Sequence, residues 1–375
     1  MMKRRQAMAT GVLAAITIFC GGCLGGAGAG SGTAHDETLD EQVDRIVSSM
    51  STSEKVGQMV MIGIHGQDVT DDSLYMLHQY HTGGVVLFDR NLASTEQVTA
   101  LTEHLQAQAD QKVPLFIGID EEGGDVVRGK GFLTPPPSQK EIGAAGEVTA
   151  AEEWASKTAV SLKKMGINVN FAPVADVGSP DRRSYSTDPD QVTKFVQAAA
   201  QGYEQNRELY ALKHFPGIGR GRVDSHQEVS EITASKDELM QQDIVPFRTM
   251  IDERQAEDYF ILVSHLKYPA LDAVNSASQS KAIMTDFLRG ELGFNGLIIT
   301  DDMEMGAVSR HNGYRQLGVK AVEAGADIVM ICHEYQHETD LYLGLLDAVE
   351  QGEISEERID ESVKRIVKAK LLHLK

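Results

Sequence analysis

The sequence has few residues that could cross-link it or attach it to nucleic acid. Only three of its 375 residues are cysteines, Cys20, Cys23 and Cys332. Cys332 stands alone in the body of the chain, which excludes a disulfide framework there. Lys and Arg number 35 against 55 Asp and Glu, for a formal net charge of −20. We therefore expect no nucleic-acid partner, because binding nucleic acid needs a basic surface.

The chain also lacks an apolar run long enough to remain in a membrane as a helix. Three basic residues at positions 3–5 precede a short apolar run over 12–19 and the small pair Gly21-Gly22. That run is about ten residues long, whereas a spanning helix needs roughly twenty. The pattern predicts a signal peptide over 1–22. The Gly-Cys junction resembles a bacterial lipoprotein processing site and predicts a lipidated Cys23, although Cys20 stands where Leu is usual and leaves a plain secretory peptide as the alternative.

Residues 23–40 are rich in glycine and poor in apolar side chains. Such a stretch cannot bury enough surface to fold, so it predicts a flexible tether. The expected location is extracytoplasmic, on the cell membrane through a lipid anchor or free after secretion. The folded domain is expected over 41–375.

Eight short apolar runs recur along this domain, and amphipathic segments with helical spacing separate them. Strands that are apolar throughout and alternate with helices indicate a parallel sheet that is covered on both faces. Eight such units over some 340 residues favour a single (β/α)8 TIM-type barrel, of the α/β class, over an open sheet. The runs cover 58–64, 83–88, 114–120, 166–177, 208–215, 259–266, 296–303 and 326–333.

Polar residues end most of these runs. In a barrel the C-terminal ends of the strands share one face, where active sites are built. A single polar strand end would mean little, since most buried polar residues are only hydrogen-bonded structure. Six of eight runs ending this way indicate a site. The residues are Asp120, Asp176, Lys213 with His214, His265, Asp301 with Asp302, and His333.

Two short motifs suggest other chemistry. GIGRGR over 217–222 suggests a phosphate loop, but Arg222 stands where the dinucleotide fingerprint needs its third glycine. His333-Glu334-Tyr335-Gln336-His337 matches the H-E-x-x-H pattern of zinc proteases, which requires both imidazoles on one face of a helix. It follows a strand directly, so zinc hydrolysis is kept only as a distant alternative. No metal or organic cofactor is expected.

The carboxylates offer a further candidate chemistry. Asp301 and Asp302 follow an apolar strand, so one can cap the next helix while the other faces the site. Asp224 and His226 are two residues apart, so both side chains project to one side of an extended loop. A carboxylate could then fix the imidazole for proton transfer. In isolation, an Asp and a His in a surface turn would be the better interpretation.

Taken together, the segments resemble glycoside hydrolase family 3, in its bacterial β-N-acetylglucosaminidase branch. The resemblance runs from about residue 42 to the end and depends most on KHFPGIGRGRVDSH over 213–226. The other matching segments are GGVVLFDRN, DEEGGDVVR, NVNFAPVADV, RRSYSTDP, VSHLKYPALD, ELGFNGLIITDDMEMGAV and AGADIVMIC.

The resemblance assigns roles to individual residues. It implies that Asp301 is the nucleophile and that Asp224 with His226 is the general acid/base unit. Positions that would hold the sugar are Asp120, Arg128, Arg183, Lys213 and His214, with His265 and Asp176 lining the pocket. Three positions depart from the family pattern: Ile218 replaces a common His, Asp125 a usual Arg and Ser230 a usual Pro.

The resemblance implies a retaining exo-β-N-acetylglucosaminidase that removes terminal GlcNAc from cell-wall (peptidoglycan) fragments through a covalent glycosyl-enzyme. Its partners would be the carbohydrate substrate and, through the lipid anchor, the membrane. The alternatives are a β-glucosidase or another family 3 glycosidase or phosphorylase, and a non-catalytic sugar-binding lipoprotein.

Overall fold

Eight of the ten strands in the described residues form one parallel sheet. A computed structural model describes residues 37–109, 111–221, 230–309 and 313–374. The strands are β1 Val60–Gly63, β2 Gly84–Leu87, β3 Phe116–Ile119, β4 Val169–Asn170, β5 Leu209–Phe215, β6 Tyr259–Val263, β7 Lys267–Tyr268, β8 Asp272–Ser276, β9 Leu297–Thr300 and β10 Val329–Ile331. The order in the sheet is β10-β1-β2-β3-β4-β5-β6-β9. A parallel bridge between Ile299 and Ile328 joins its two outer strands, so the sheet closes into a barrel.

The predicted (β/α)8 barrel is confirmed, and each barrel strand lies within one of the eight apolar runs. Helices surround the barrel because every barrel strand is buried throughout. They are α1 Leu39–Ser48, α2 Thr52–Gln58, α3 Asp71–Tyr80, α4 Thr95–Gln108, α5 Gln139–Ala145, α6 Val148–Lys164, α7 Pro189–Gln205, α8 Lys236–Gln241, α9 Val245–Glu253, α10 Gly306–Ser309, α11 Tyr314–Ala324, α12 Tyr335–Glu350 and α13 Glu356–His373.

Aromatic side chains and a buried lysine fill the part of the barrel that lies away from the C-terminal ends of its strands. The Phe116 and Phe260 rings meet edge to face at 5.3 Å. Their strands, β3 and β6, are not neighbours, so this contact crosses the interior. Lys370 of α13 lies over the Phe116 ring at 4.8 Å. Its Nζ donates to Gln58 Oε1 and to the Gly83 carbonyl, each at 2.7 Å. The opposite end, where the strands terminate, is left to hold a site.

Three local features differ from the sequence-based expectations. Helix α1 begins at Leu39 behind a capping box formed by Thr38 and Glu41, so the first helix starts two residues before residue 41, where the folded domain was expected to begin. Strands β7 and β8 form an antiparallel hairpin after β6. The segment over 282–291, expected as an ordinary amphipathic helix, is a π-helix, Ala282–Glu291.

The predicted signal peptide, Cys23 and most of the tether lie outside the described residues, and so do Asp224 and His226. None of the helices in the described ranges combines the length and apolarity required to cross a bilayer.

Candidate active site

A cavity of about 380 Å³ opens at the face where the C-terminal ends of the barrel strands meet. Its size lies at the lower end of the range for small-molecule sites, about 300–1,000 Å³. Residues within or after five different strands line it, as expected for a barrel mouth. They include Phe88 after β2, Asp120 after β3, Lys213 and His214 in β5, Asp301 and Asp302 after β9, and His333 after β10.

Lys213 lies at the centre of a buried ion network. Its Nζ is 2.7 Å from Asp120 Oδ1 and 2.6 Å from Glu122 Oε1. Burial disfavours the charged form of Lys213, but the two carboxylates outweigh burial and raise its pKa. Burial likewise disfavours the charged form of Glu122, and Lys213 with Arg183 outweighs it and holds its pKa far below the ordinary value. All three groups of this contact are therefore charged at neutral pH.

Arg183 continues the network to His214. The guanidinium binds Glu122 through two parallel hydrogen bonds of 2.8 Å, from Nε and from an Nη. The same Nη is 3.2 Å from His214 Nε2, and His214 Nδ1 is 2.8 Å from Asp176 Oδ2. Because a guanidinium can only donate, Nε2 accepts and Nδ1–H donates to Asp176. Both ends of the imidazole are thereby fixed, which holds the ring in one orientation at the cavity wall.

Arg128 closes the network on the β2 side. One Nη is 3.4 Å from Asp120 Oδ2 and the other 3.7 Å from Asp89 Oδ1. Its guanidinium carbon is 5.4 Å from the centre of the Phe88 ring. The structure therefore brings together five of the residues predicted to bind substrate: Asp120, Arg128, Arg183, Lys213 and His214. Their role in binding a sugar stays a prediction.

The two aspartates after β9 have different surroundings. Asp302 is only 8% exposed; its Oδ2 is 3.0 Å from His333 Nε2 and its Oδ1 accepts the Glu304 N–H at 3.0 Å. Asp301 is partly exposed at the cavity, and its Oδ1 accepts the Asp302 N–H at 2.9 Å. Among the described residues Asp301 forms no ion pair. It is thus the carboxylate of the pair that is available to a ligand.

His265 does not line the cavity. The side chain is 1% exposed, its Nδ1 is 2.7 Å from Ser278 Oγ, and its Nε2 is 2.8 Å from the Asp302 carbonyl. With both ring nitrogens engaged, it offers none to a sugar. The geometry favours a supporting role, holding the backbone at Asp302, over the predicted contact with substrate.

The two histidines of H-E-x-x-H bind different carboxylates. His333 precedes α12 and contacts Asp302, whereas His337 lies in the first turn of α12 with its Nδ1 2.6 Å from Glu304 Oε1. The described ranges contain no group of three His, Cys, Asp or Glu that could hold a metal ion. The motif therefore belongs to two separate hydrogen-bonded pairs.

The departures from the family pattern leave the network intact. Ile218 contributes its backbone N–H, which donates to Asp176 Oδ1 at 2.8 Å. Ser230 contributes its carbonyl, which accepts the Lys267 N–H at 3.1 Å and which a proline would also provide. The Asp125 carboxylate lies 3.3 Å from Arg182 at the surface.

Three residues that hold the site together were not among those predicted from the sequence: Glu121, Glu122 and Glu304. Glu122 joins Lys213 to Arg183, and its neighbour Glu121 instead accepts the Arg128 and Gly129 backbone N–H groups. Glu304 accepts the backbone N–H groups of Cys332 and His333, so it ties the end of β10 to the turn after β9. The signal was present in the runs DEE and DDME, but neighbouring carboxylates cannot be told apart by pattern alone.

Active sites of barrel enzymes lie at this face of the barrel. Here it combines the Asp301 carboxylate, which is available to a ligand, with the charged groups that surround Lys213. Residues 51–369 match the family described as Glycosyl hydrolase family 3 N terminal domain. The chain belongs to this family, which confirms the resemblance found in the sequence.

Curated relatives and solved structures agree with this membership. The chain is 36% identical over 326 residues to Beta-hexosaminidase A of Pseudoalteromonas piscicida, covering 79% of this chain and 54% of the relative. It is 32% identical over 343 residues to Beta-hexosaminidase LpqI of Mycobacterium tuberculosis, covering 87% of this chain and 84% of that protein.

A family 3 β-N-acetylglucosaminidase structure from Paenibacillus superposes with a TM-score of 0.84 at 36% identity, over 87% of this chain and 63% of that one. The chain thus spans only about half to two thirds of the first of these relatives and of the Paenibacillus chain.

Proposed function

We propose that the protein is a retaining exo-β-N-acetylglucosaminidase that releases terminal β-linked GlcNAc from cell-wall fragments. The observation that carries the proposal is the contrast at the cavity: within the described part of the chain Asp301 forms no ion pair, whereas the charged groups around it pair with one another. A neutral sugar can then bind to fixed donors and acceptors, with one carboxylate left to react. The names of the relatives support a hexosaminidase, and the predicted export supports an extracellular glycan as substrate.

The binding network matches the hydroxyl groups of a sugar. Asp120 and Glu122 can only accept hydrogen bonds, and Lys213, Arg128 and Arg183 can only donate them. Each sugar hydroxyl can do both, so a pair such as Asp120 and Lys213 can hold one hydroxyl in a fixed orientation. Because these charged groups already hold each other in place, little reorganisation is needed when the sugar arrives.

The chemical steps follow from a nucleophile and a proton donor on opposite sides of the glycosidic bond. Asp301 attacks the anomeric carbon as His226 protonates the leaving oxygen, which gives a covalent glycosyl-enzyme. His226 then removes a proton from water, and that water releases the sugar from Asp301. An imidazole suits this role because its ordinary pKa, about 6.5, is close to neutral pH, and Asp224 would stabilise its charged form.

An activity panel tests the proposal. Aryl β-GlcNAc, aryl β-glucoside and aryl β-xyloside are incubated with the protein, with and without phosphate. We expect release from the β-GlcNAc substrate, with N-acetylglucosamine as product whether or not phosphate is present. Faster cleavage of the glucoside would contradict the sugar specificity, a sugar phosphate as product would contradict hydrolysis, and GlcNAc binding without turnover would indicate a sugar-binding protein.

The lipid anchor is a separate part of the proposal. It rests on the basic, apolar and Gly-Cys pattern before Cys23. In a bacterial host, we expect the protein to partition into the detergent phase and Cys23→Ala to partition into the aqueous phase. Equal partitioning of the two proteins would favour the plain secretory alternative.

A further inference from the structure

The backbone of the turn after β9 is tied to neighbouring elements on both sides of the Asp301–Asp302 peptide bond. The Asp301 N–H donates to the Val263 carbonyl of β6 at 3.0 Å. The Asp302 carbonyl accepts the Met305 N–H at 3.0 Å and lies 2.8 Å from His265 Nε2. The peptide bond between the two aspartates is therefore held at the cavity wall.

A single hydrogen bond orients the Asp301 carboxylate within the described part of the chain. The Asp302 N–H donates to Asp301 Oδ1 at 2.9 Å, and none of the described residues donates to Asp301 Oδ2. A carboxylate nucleophile attacks the anomeric carbon through one of its two oxygens. Oδ2 is the oxygen that is left for this attack, and the direction of the Asp302 N–H sets where it lies.

The side chain of Asp302 is held from β10. Its Oδ1 accepts the Glu304 N–H at 3.0 Å, and its Oδ2 is 3.0 Å from His333 Nε2. Asp302 is only 8% exposed, so without His333 a buried carboxylate oxygen would lose its partner, which is costly. The carboxylate would then turn towards the water of the cavity and give up the Glu304 N–H. The contact with His333 therefore keeps the whole Asp302 residue in place.

The His333 ring is itself fixed, although its side chain is 47% exposed at the cavity. Arg90 Nη1 lies 3.3 Å from its Nδ1, and the Phe88 ring centre is 5.1 Å from its own. Because a guanidinium can only donate, Nδ1 accepts and Nε2 carries the proton that it donates to Asp302. The hydrogen bond to Asp302 raises the pKa of His333, and Nε2 also carries a proton in the charged ring. Nε2 is thus a donor to Asp302 in both protonation states.

We propose that His333 is a positioning residue for the nucleophile. It holds the Asp302 carboxylate, which keeps the Asp302 N–H directed at Asp301 Oδ1 and leaves Oδ2 to attack. The inference rests on the proposed function, in which Asp301 is the nucleophile. A misplacement of a reacting group by about 1 Å can cost on the order of 10² in rate. The sugar-binding network around Lys213 belongs to β3 and β5, so binding of the sugar should change little.

The test compares two amides at position 333. The side-chain nitrogen of glutamine is as many bonds from the backbone as Nε2 of histidine and can donate to Asp302, whereas that of asparagine is one bond too short. We expect His333→Asn to lose on the order of tenfold in kcat/KM, and His333→Gln less than about threefold. The loss in His333→Asn should be equal on phenyl and 2,4-dinitrophenyl β-GlcNAc, because both need the nucleophile. Inhibition by free GlcNAc should change less than about twofold, since the binding network is intact.

A second variant approaches the same contact from Asp302. Asp302→Asn can keep an acceptor for the Glu304 N–H, which leaves its NH₂ group facing His333 Nε2–H. Two donors then meet, so the same loss of kcat/KM is expected with the same inhibition by GlcNAc. The matched control is His373→Asn, since His373 Nε2 is also close to an aspartate, 3.2 Å from Asp258 Oδ1, but does not line the cavity. Its activity should equal that of the wild type.

Each outcome decides between interpretations. A loss in His333→Asn and Asp302→Asn that His333→Gln largely restores, with unchanged inhibition by GlcNAc, supports the inference. Equal losses in His333→Asn and His333→Gln, no loss in either, or inhibition by GlcNAc that weakens along with the rate overturn it while the proposed function stands. A wild-type protein that releases neither phenol overturns the proposed function and the inference with it.

Discussion

Replacing Glu122 by glutamine should cost far more stability than the same change at the surface. The Glu122 side chain is 2% exposed and contacts Lys213 Nζ at 2.6 Å and two Arg183 nitrogens at 2.8 Å. Removing one partner of a buried ion pair costs about 3–5 kcal/mol, because the remaining charge is left buried. Glutamine keeps the shape and one acceptor, and Lys213 keeps Asp120, so we take the lower end, about 3 kcal/mol.

The expected change in Tm follows from the size of the domain. The folded unit runs from Thr38 to Lys375. At about 2.1 cal/mol/K per residue its unfolding entropy is roughly 0.7 kcal/mol/K, so 3 kcal/mol lowers Tm by about 4 °C. The control is Glu141→Gln, whose carboxylate is 55% exposed and pairs with Arg182 at 2.6 Å. A surface pair contributes about 0–1 kcal/mol, so this change should stay within about 1.5 °C.

The pH dependence of the stability lost in Glu122→Gln tests whether the charged network is buried. The folded state holds the pKa of Glu122 far below its unfolded value of about 4.3, so its stabilisation is complete above that value and is lost as the pH falls. Scanning calorimetry should find a constant deficit for Glu122→Gln between about pH 6 and 8 that shrinks below about pH 4. A deficit equal to that of Glu141→Gln at neutral pH would refute the buried network.

Two further predictions concern packing and protonation. Gly219→Ala should lower stability by about 1–3 kcal/mol, because its Cβ would lie 1.9 Å from the Val177 carbonyl oxygen, whereas Gly313→Ala, with open space, should not; equal Tm values would contradict this. Burial, with Glu304 next in effect, raises the pKa of Glu338 to about 9. Between its unfolded pKa and about pH 9 this carboxyl group is ionised in the unfolded chain but protonated in the folded one, so the wild-type protein loses stability as the pH rises. The Tm of Glu338→Gln minus that of wild type should therefore rise from about pH 5 to 8. A difference that does not change with pH would contradict this.

The barrel was predictable because its strands are buried on both faces and so appear as continuous apolar runs. The same property placed Asp120, Lys213 and Asp301 at one end, since polar residues that follow such strands converge at the mouth. The π-helix Ala282–Glu291 was not predictable, because its apolar spacing is close to that of an ordinary helix. The hairpin was missed because its strands, Lys267–Tyr268 and Asp272–Ser276, are short and the second is largely exposed.

Within the site, the roles of neighbouring polar residues depend on backbone geometry that no pattern records. Glu121 and Glu122 are adjacent, yet one accepts backbone N–H groups and the other binds two cations. His265 follows its strand as the predicted site residues do, but its side chain is buried against Ser278 and the Asp302 carbonyl. Sequence identifies which strand ends contribute to a mouth, and only the packing decides which side chains face it.

Locating the covalent intermediate tests most directly whether Asp301 is the nucleophile. A 5-fluoro-GlcNAc fluoride, which slows hydrolysis of the glycosyl-enzyme, is added, the reaction is quenched, and the peptide that contains Asp301 and Asp302 is fragmented by mass spectrometry. We expect one sugar attached to Asp301 and no adduct in Asp301→Asn. A sugar on Asp302, or an active enzyme that forms no adduct on this peptide, would contradict it.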